Sequence, residues 1–220
     1  MTAMSIEERS KIRKKRIVAH LSQSFEEAER WDLEYWQSLS PASRLSALVA
    51  IRRDIDKVNK SKKEIRLIVE TIQDFEDMLF LLNKHGVKYL IIGGLAFIYH
   101  AKPRYTKDID IWVEPSPENV EKVNDALVEF GSPYLLTPNQ LEEILQIGVE
   151  PDRINILQKL EGDKFSVAWK NRITDKYGDI TTYWIDIDNL IRVKHMIDHT
   201  RHQEDVRILR EVKKLHRKSE

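Results

Sequence analysis

The sequence predicts an α/β chain of the α+β kind: a small mixed sheet flanked by helices, preceded by an all-helical N-terminal extension. Three observations carry this. Up to about position 86 the apolar residues recur at three- and four-residue intervals, with no alternating run among them. From Val87 onward, short β-branched and aromatic runs alternate with helical segments. Glycine and proline punctuate the joins. Strands and helices interleaved in this way build a mixed sheet with helices packed on it. The expected units are the helical extension, 1–60, and a sheet-containing domain, 61–220.

Taken in order, Ser24 and Glu27 form a capping box for a first helix, with Phe25, Ala28, Trp31, Tyr35 and Trp36 on its apolar side. Ser40 and Pro41 are an N-cap and first helical residue, and Leu45, Leu48, Ile51 and Ile55 follow at helical spacing. A longer helix is expected over about 62–84, closed by Gly86. Val87–Ile92 reads as a strand broken by Gly93-Gly94, and Leu95–Ala101 as a short helix. Asp108–Val113 is a second strand. Ser116-Pro117 opens a helix to Phe130, stopped by Gly131. A further short helix is expected from Thr137 or Asn139, carrying Leu141, Ile144 and Leu145. Arg153–Leu157 is a third strand, Phe165–Asn171 a short helix, and Asp179–Asp186 a fourth strand. Two helices, 188–200 and 203–217, end the chain.

Composition excludes several classes. The 36 basic and 36 acidic residues balance, which argues against an obligate nucleic-acid coat protein. Local basic clusters remain, at Lys11–Arg16 and at Arg207, Arg210, Lys213, Lys214, Arg217 and Lys218, and could serve an RNA acceptor. The absence of cysteine removes disulfides, thiol nucleophiles and thiolate metal sites. No apolar run approaches the roughly 20 residues of a membrane span. The opening MTAMSIEERSKIRKKR is charged with no apolar core behind it, so no signal peptide, no membrane contact and a cytoplasmic location are expected. The aromatic first helix is a candidate surface for a protein partner.

The chemistry concentrates in residues 91–113. Asp108 and Asp110 lie two apart on a strand, so their carboxylates share a face with Cα atoms about 6.6 Å apart. Two carboxylates this close repel, and a hard cation such as Mg2+ or Mn2+ is the obvious stabiliser. The strand-Gly93-Gly94-helix turn offers bare backbone and a helix N-terminus to a phosphate. Carboxylates, cation and phosphate cradle together are the parts of phosphoryl or nucleotidyl transfer.

This stretch resembles the signature of the minimal nucleotidyltransferase superfamily, the polymerase-beta-like fold, and within it the AbiEii-toxin-like branch. Gly93, Gly94 and Ala96 match the Gly-Gly-x-Ala opening, and His100, Arg104, Thr106, Asp108 and Asp110 match the His, Arg-x-Thr and Asp-x-Asp that follow. Ala101 stands where the branch has glycine. The resemblance spans about 75–215 and makes 61–220 a nucleotidyltransferase-like domain. It implies transfer of a nucleoside monophosphate from a nucleoside triphosphate to a hydroxyl of RNA, protein or a small molecule, in a toxin–antitoxin or phage-defence pair. It implies that Asp108 and Asp110 bind two divalent metals, that Gly93 and Gly94 hold phosphates, that Lys194 sits near the triphosphate as a point charge, and that Arg104 and Thr106 contact phosphate or fix the loop. His100 is expected to order that loop, Asp205 to anchor the last helix against the site or against another helix, and Trp112, on the face of Asp108 and Asp110, either to join the core or to line the cleft floor.

One position departs. The superfamily's third carboxylate falls on Asn155, in Arg153-Ile154-Asn155. An amide oxygen can ligate a metal, but an amide cannot take a proton from a hydroxyl. Asp152 faces the other way by alternation, Glu114 lies too far along the strand, and Asp186 is the remaining candidate. The alternative reading is therefore a catalytically impaired module that binds a nucleotide or a protein partner.

Overall fold

The computed structural model describes residues 25–49, 74–106, 108–148, 153–197 and 199–218. Helix α1 is Phe25–Gln37, α2 spans 41–49 and α3 spans 74–84. The sheet region follows as β1 Tyr89–Ile92, α4 Gly93–His100, β2 Asp108–Val113, α5 Pro117–Phe130, β3 Ile144–Ile147, β4 Arg153–Leu157, α6 Phe165–Lys170, β5 Ile173–Tyr177, β6 Ile180–Trp184, α7 Ile187–Met196 and α8 Thr200–Lys218. The strands form one mixed sheet in the order β3-β4-β2-β1-β6-β5. The central strand β1 runs antiparallel to β2 and parallel to β6, and β2 runs parallel to β4. The expected fold class is the one observed.

Local chemistry explains the elements. All four residues of β1 are buried, as a central strand covered on both faces requires. Ser116 caps α5 by accepting from the Asn119 N–H, Pro117 occupies its first turn, and Gly131 ends it at φ 87°. Ser40 caps α2 in the same manner, its Oγ accepting from the Ser43 N–H at 3.1 Å. One buried cluster runs from Leu79 and Leu82 through Leu90, Ile91 and Ile98 to Leu209. Leu33 of α1 and Leu48 of α2 belong to that cluster.

Three expectations are corrected. The helix expected from Thr137 or Asn139 is absent: the segment is a series of turns, Asn139 takes φ 67°, and Ile144–Ile147 is the edge strand β3. Leu141, Ile144 and Leu145 fit a helical spacing, but Leu145 alone is buried between exposed Ile144 and Gln146, which is the period of a strand. Pairing with β4, Leu145 against Ile156, decided the outcome. The fourth expected strand is half of a hairpin. β5 pairs with β6 around Gly178-Asp179, with Gly178 at φ 58°, and β6 runs only from Ile180 to Trp184. The last two helices begin earlier than expected, at Ile187 and Thr200. The Ser24 cap, the Lys11–Arg16 cluster, the first half of the 62–84 helix and Asp152 lie outside the described residues.

Candidate active site

Register assembles the site from three adjacent strands. Ile92, the last residue of β1, sits opposite Asp110. Asp110 in turn sits opposite Asn155, and Asp108 opposite Arg153. The Gly93–Gly94 turn, both aspartates, Asn155 and Arg153 therefore meet at one end of the sheet.

The two glycines are dictated by side chains across the turn. Gly93 has φ +65°, and a Cβ there would lie 2.8 Å from the Asp110 Cγ. A Cβ on Gly94 would lie 2.9 Å from the Thr106 Cβ. Ile92, the residue preceding α4, makes no side-chain cap. The first-turn N–H groups of α4 thus receive no cap from the residue that precedes the helix, and they lie beside the Asp110 carboxylate.

Polar contacts knit the carboxylates together. Thr106 Oγ1 donates to Asp108 Oδ1 at 3.2 Å. Arg153 Nη2 donates to Asp108 Oδ2 at 3.1 Å. Asn155 Nδ2 donates to Asp110 Oδ1 at 2.8 Å and to Asp108 Oδ2 at 3.4 Å. Gln146 on β3 donates to Asn155 Oδ1 at 3.3 Å, which orients that amide. Burial raises the proton affinity of the Asp110 carboxyl, and the neighbouring charge of Asp108 raises it further.

A second cluster stands behind the first. Asp205 on α8 accepts from Lys194 Nζ at 2.8 Å and from Arg104 Nη2 at 2.9 Å. Lys194 is 2% exposed, and burial lowers its pKa against the pull of Asp205. Lys194, the point charge expected near a triphosphate, is a buried ammonium held by Asp205 and within reach of the field of Asp110. Asp205 ties α8 to α7 and to the loop through these two contacts. Half-buried His202, in the first turn of α8, is influenced by Lys194, Asp205 and Arg104, and its Nδ1 is buried without a partner.

His100 is buried, and its Nε2 meets the Ile185 carbonyl at 2.8 Å. Burial lowers its pKa to about 4, so near neutral pH the ring is uncharged and donates that hydrogen bond. Asp186 does not supply the third carboxylate. Its oxygens accept from the N–H groups of Asp188 and Asn189 and from the Asn189 side chain, so it is the N-cap of α7. Trp112 is buried on the strand face of the aspartates, two residues beyond Asp110. Its indole donates to the Gln158 carbonyl at 3.3 Å, and it borders a cavity of about 450 Å³ with Glu114, Gln158, Asp163 and Phe165, at the other end of β2. Along α8, Arg207 pairs with Glu204, Lys213 with Asp188 and Lys214 with Glu211.

Arg153 and Gln146 join the site without being named among its residues by the sequence pattern. Alternation places Arg153 on the Asn155 face, a readable signal. Gln146 was hidden by the misread strand.

The donor set bears on the metal. Among the described residues no group of three histidine, cysteine, aspartate or glutamate side chains could hold one. Asp108 and Asp110 supply two carboxylates, while the third position presents amide hydrogens to them and Arg153 presents a cation. This fits a single Mg2+ or Mn2+ whose remaining ligands are waters and substrate phosphates. It does not fit a site for two ions.

No family model matches the chain, and no curated protein matches it. Among solved structures, TM1012 of Thermotoga maritima, provisionally named a nucleotidyltransferase, is similar over 66% of this chain and 91% of its own, at 12% identity and a TM-score of 0.42. At that distance the likeness adds nothing to the reading of the site.

Proposed function

We propose that this protein binds a nucleoside triphosphate with Mg2+ or Mn2+ and transfers its nucleoside monophosphate to a hydroxyl of RNA, protein or a small molecule. One observation carries the reading: a helix N-terminus with no cap from the residue that precedes it lies beside the Asp110 carboxylate on the neighbouring strand, and a glycine at that turn is required by that carboxylate. The α4 amides suit phosphate oxygens. Asp108 and Asp110 would hold the cation, which when bound neutralises charge on the triphosphate and the departing pyrophosphate.

In the reaction the acceptor oxygen forms a bond to the α-phosphorus, and the bond from that phosphorus to pyrophosphate breaks. The hydroxyl proton needs a base. Asn155 cannot serve, and Asp108 and Asp110 are occupied by the cation, so the proton passes to solvent water. Arg104 and Lys194 act through Asp205, as positioning groups behind the site.

A second reading is favoured by a specific contact. Asn155 Nδ2 donates to Asp110 at 2.8 Å, occupying the carboxylate that the chemistry needs. The protein would then bind nucleotide without turnover, or serve a protein partner through its N-terminal helices. The toxin–antitoxin or phage-defence setting rests on the sequence resemblance to the AbiEii-toxin-like branch alone. Its test is growth arrest on expression that is absent in Asp108→Ala/Asp110→Ala.

The experiment is label transfer from each nucleoside triphosphate, with Mg2+ or Mn2+, to bacterial RNA and protein. Transfer is expected in the wild type and absent in Asp108→Ala/Asp110→Ala. No transfer in the wild type together with transfer in Asn155→Asp assigns the binding-only reading. Equal transfer in the double variant removes the proposal.

A further inference from the structure

The end of α4 is finished by residues far away in sequence. Its C-cap, Ala101, lies at φ −114° and ψ −90°, without the left-handed glycine that commonly completes a helix. The last carbonyls of such a helix need partners. Arg44 of α2 supplies them: Nε donates to the Tyr99 carbonyl at 3.0 Å and Nη2 to the same oxygen at 2.6 Å. Its Nη1 donates to the carbonyls of Trp36 at 3.0 Å and Leu39 at 2.6 Å. Gln37 of α1 donates to the His100 carbonyl at 3.0 Å and to the Ala101 carbonyl at 2.6 Å. Asp32 pairs with Lys102 at 2.8 Å.

Arg44 is 6% exposed and has no acidic partner among the described residues; its acceptors there are all backbone carbonyls. Burying a guanidinium without a counter-charge is costly. Packing two helices does not require it. The segment it fixes is the start of the 101–106 loop. That loop carries Arg104 to Asp205, the Tyr105 carbonyl to Arg201 Nη2 at 2.8 Å, and Thr106 to Asp108. Thr106 also packs on Gly94.

We propose that α1 and α2 are a built-in brace of the candidate site and that Arg44 is its positioning residue, with Gln37 in support. By holding the carbonyls of 99–101, the pair sets where the loop leaves α4. That exit sets the placement of Arg104 and Thr106 against the carboxylates. The consequence for ligand rests on the nucleotide reading above; the consequence for the loop does not.

The test uses the full chain with Arg44→Ala and the milder Gln37→Leu. Residue-resolved hydrogen exchange is compared between the 101–106 loop and the central strands β1 and β4. Exchange in the loop is expected to rise about tenfold in Arg44→Ala, and less in Gln37→Leu, with the strands unchanged. Ethylguanidinium, which refills the vacated fork, restores the loop, and ethylammonium does not. Apparent affinity for each nucleoside triphosphate with Mn2+ is measured in parallel, with about a tenfold loss in Arg44→Ala reversed by ethylguanidinium. Loop exchange that stays at the wild-type value, or that rises equally throughout the sheet in both variants, overturns the brace. A freed loop with wild-type nucleotide affinity overturns the positioning role. A wild type that binds no nucleotide counts against the nucleotide reading, while the exchange data still decide the brace.

Discussion

Asp110 concentrates the conflict between stability and function. It is a carboxylate desolvated beside another carboxylate, and its pKa is raised by that burial. Between its ordinary and its raised pKa the folded state holds more protons than the unfolded chain, so its contribution to stability is full below the ordinary value and is lost as pH rises through the raised one. Asp110→Asn removes that loss. The melting temperature at pH 7 without metal is expected to rise by about 2–4 °C, the shift that roughly 1 kcal/mol produces in a chain this size, while divalent-cation binding is lost. Calorimetry with and without Mn2+ checks both. Asn155→Asp runs the other way. It replaces the amide donor at 2.8 Å with a third carboxylate, so it is expected to melt lower without metal and to gain more from Mn2+ than the wild type. His100 gives a pH signature of opposite sign. Its folded pKa of about 4 lies below the ordinary 6.5, so its contribution to stability is full above about 6.5 and is lost as pH falls toward 4. His100→Gln should flatten that part of the acid limb in chemical denaturation.

At the scale of elements, what was legible in the sequence was what local chemistry sets. The strand at 108–113, the Ser116-Pro117 to Gly131 helix and the Ser40 cap came out as expected because caps, glycines and alternation are local signals. Asp108 and Asp110 share a face because strand period places them there, whereas Asn155 joins them through the β2–β4 register, which the family resemblance indicated and strand period could not. β3 was misread because four residues on an edge, one of them buried, carry too little alternation to outweigh an apparent helical spacing. β5 was missed because Asp175 and Lys176 dilute its strand character, although Gly178-Asp179 is a hairpin signal. The work of Arg44 was invisible because its acceptor at Tyr99 lies 55 residues away. The turn between β1 and α4 yields an element-scale prediction. Gly93→Ala puts a side chain at φ +65° against the Asp110 carboxylate, and is expected to destabilise by about 1–3 kcal/mol by strain. Gly86→Ala, also at positive φ but with open space around it, should cost less, and urea unfolding of the two variants compares them.

Across the whole molecule, the sheet separates two ends. One end gathers the glycine turn, the aspartates, Asn155 and Arg153; the other holds Trp112, Phe165 and the cavity they border. The helices α7 and α8 close the first end through Lys194 and Asp205, and α1 and α2 reach it through α4. Among the described residues no helix is long and apolar enough to cross a membrane. The central claim is that the two aspartates and the glycine turn receive a cation-bound nucleotide. Isothermal titration of the full chain with each nucleoside triphosphate, with and without Mg2+ or Mn2+, tests it most directly, with Asp108→Ala/Asp110→Ala run alongside. Saturable binding of at least one nucleotide that requires the divalent cation and disappears in the double variant is the predicted result. Binding that is indifferent to the cation or to the double substitution, or no binding of any of the four, would contradict it.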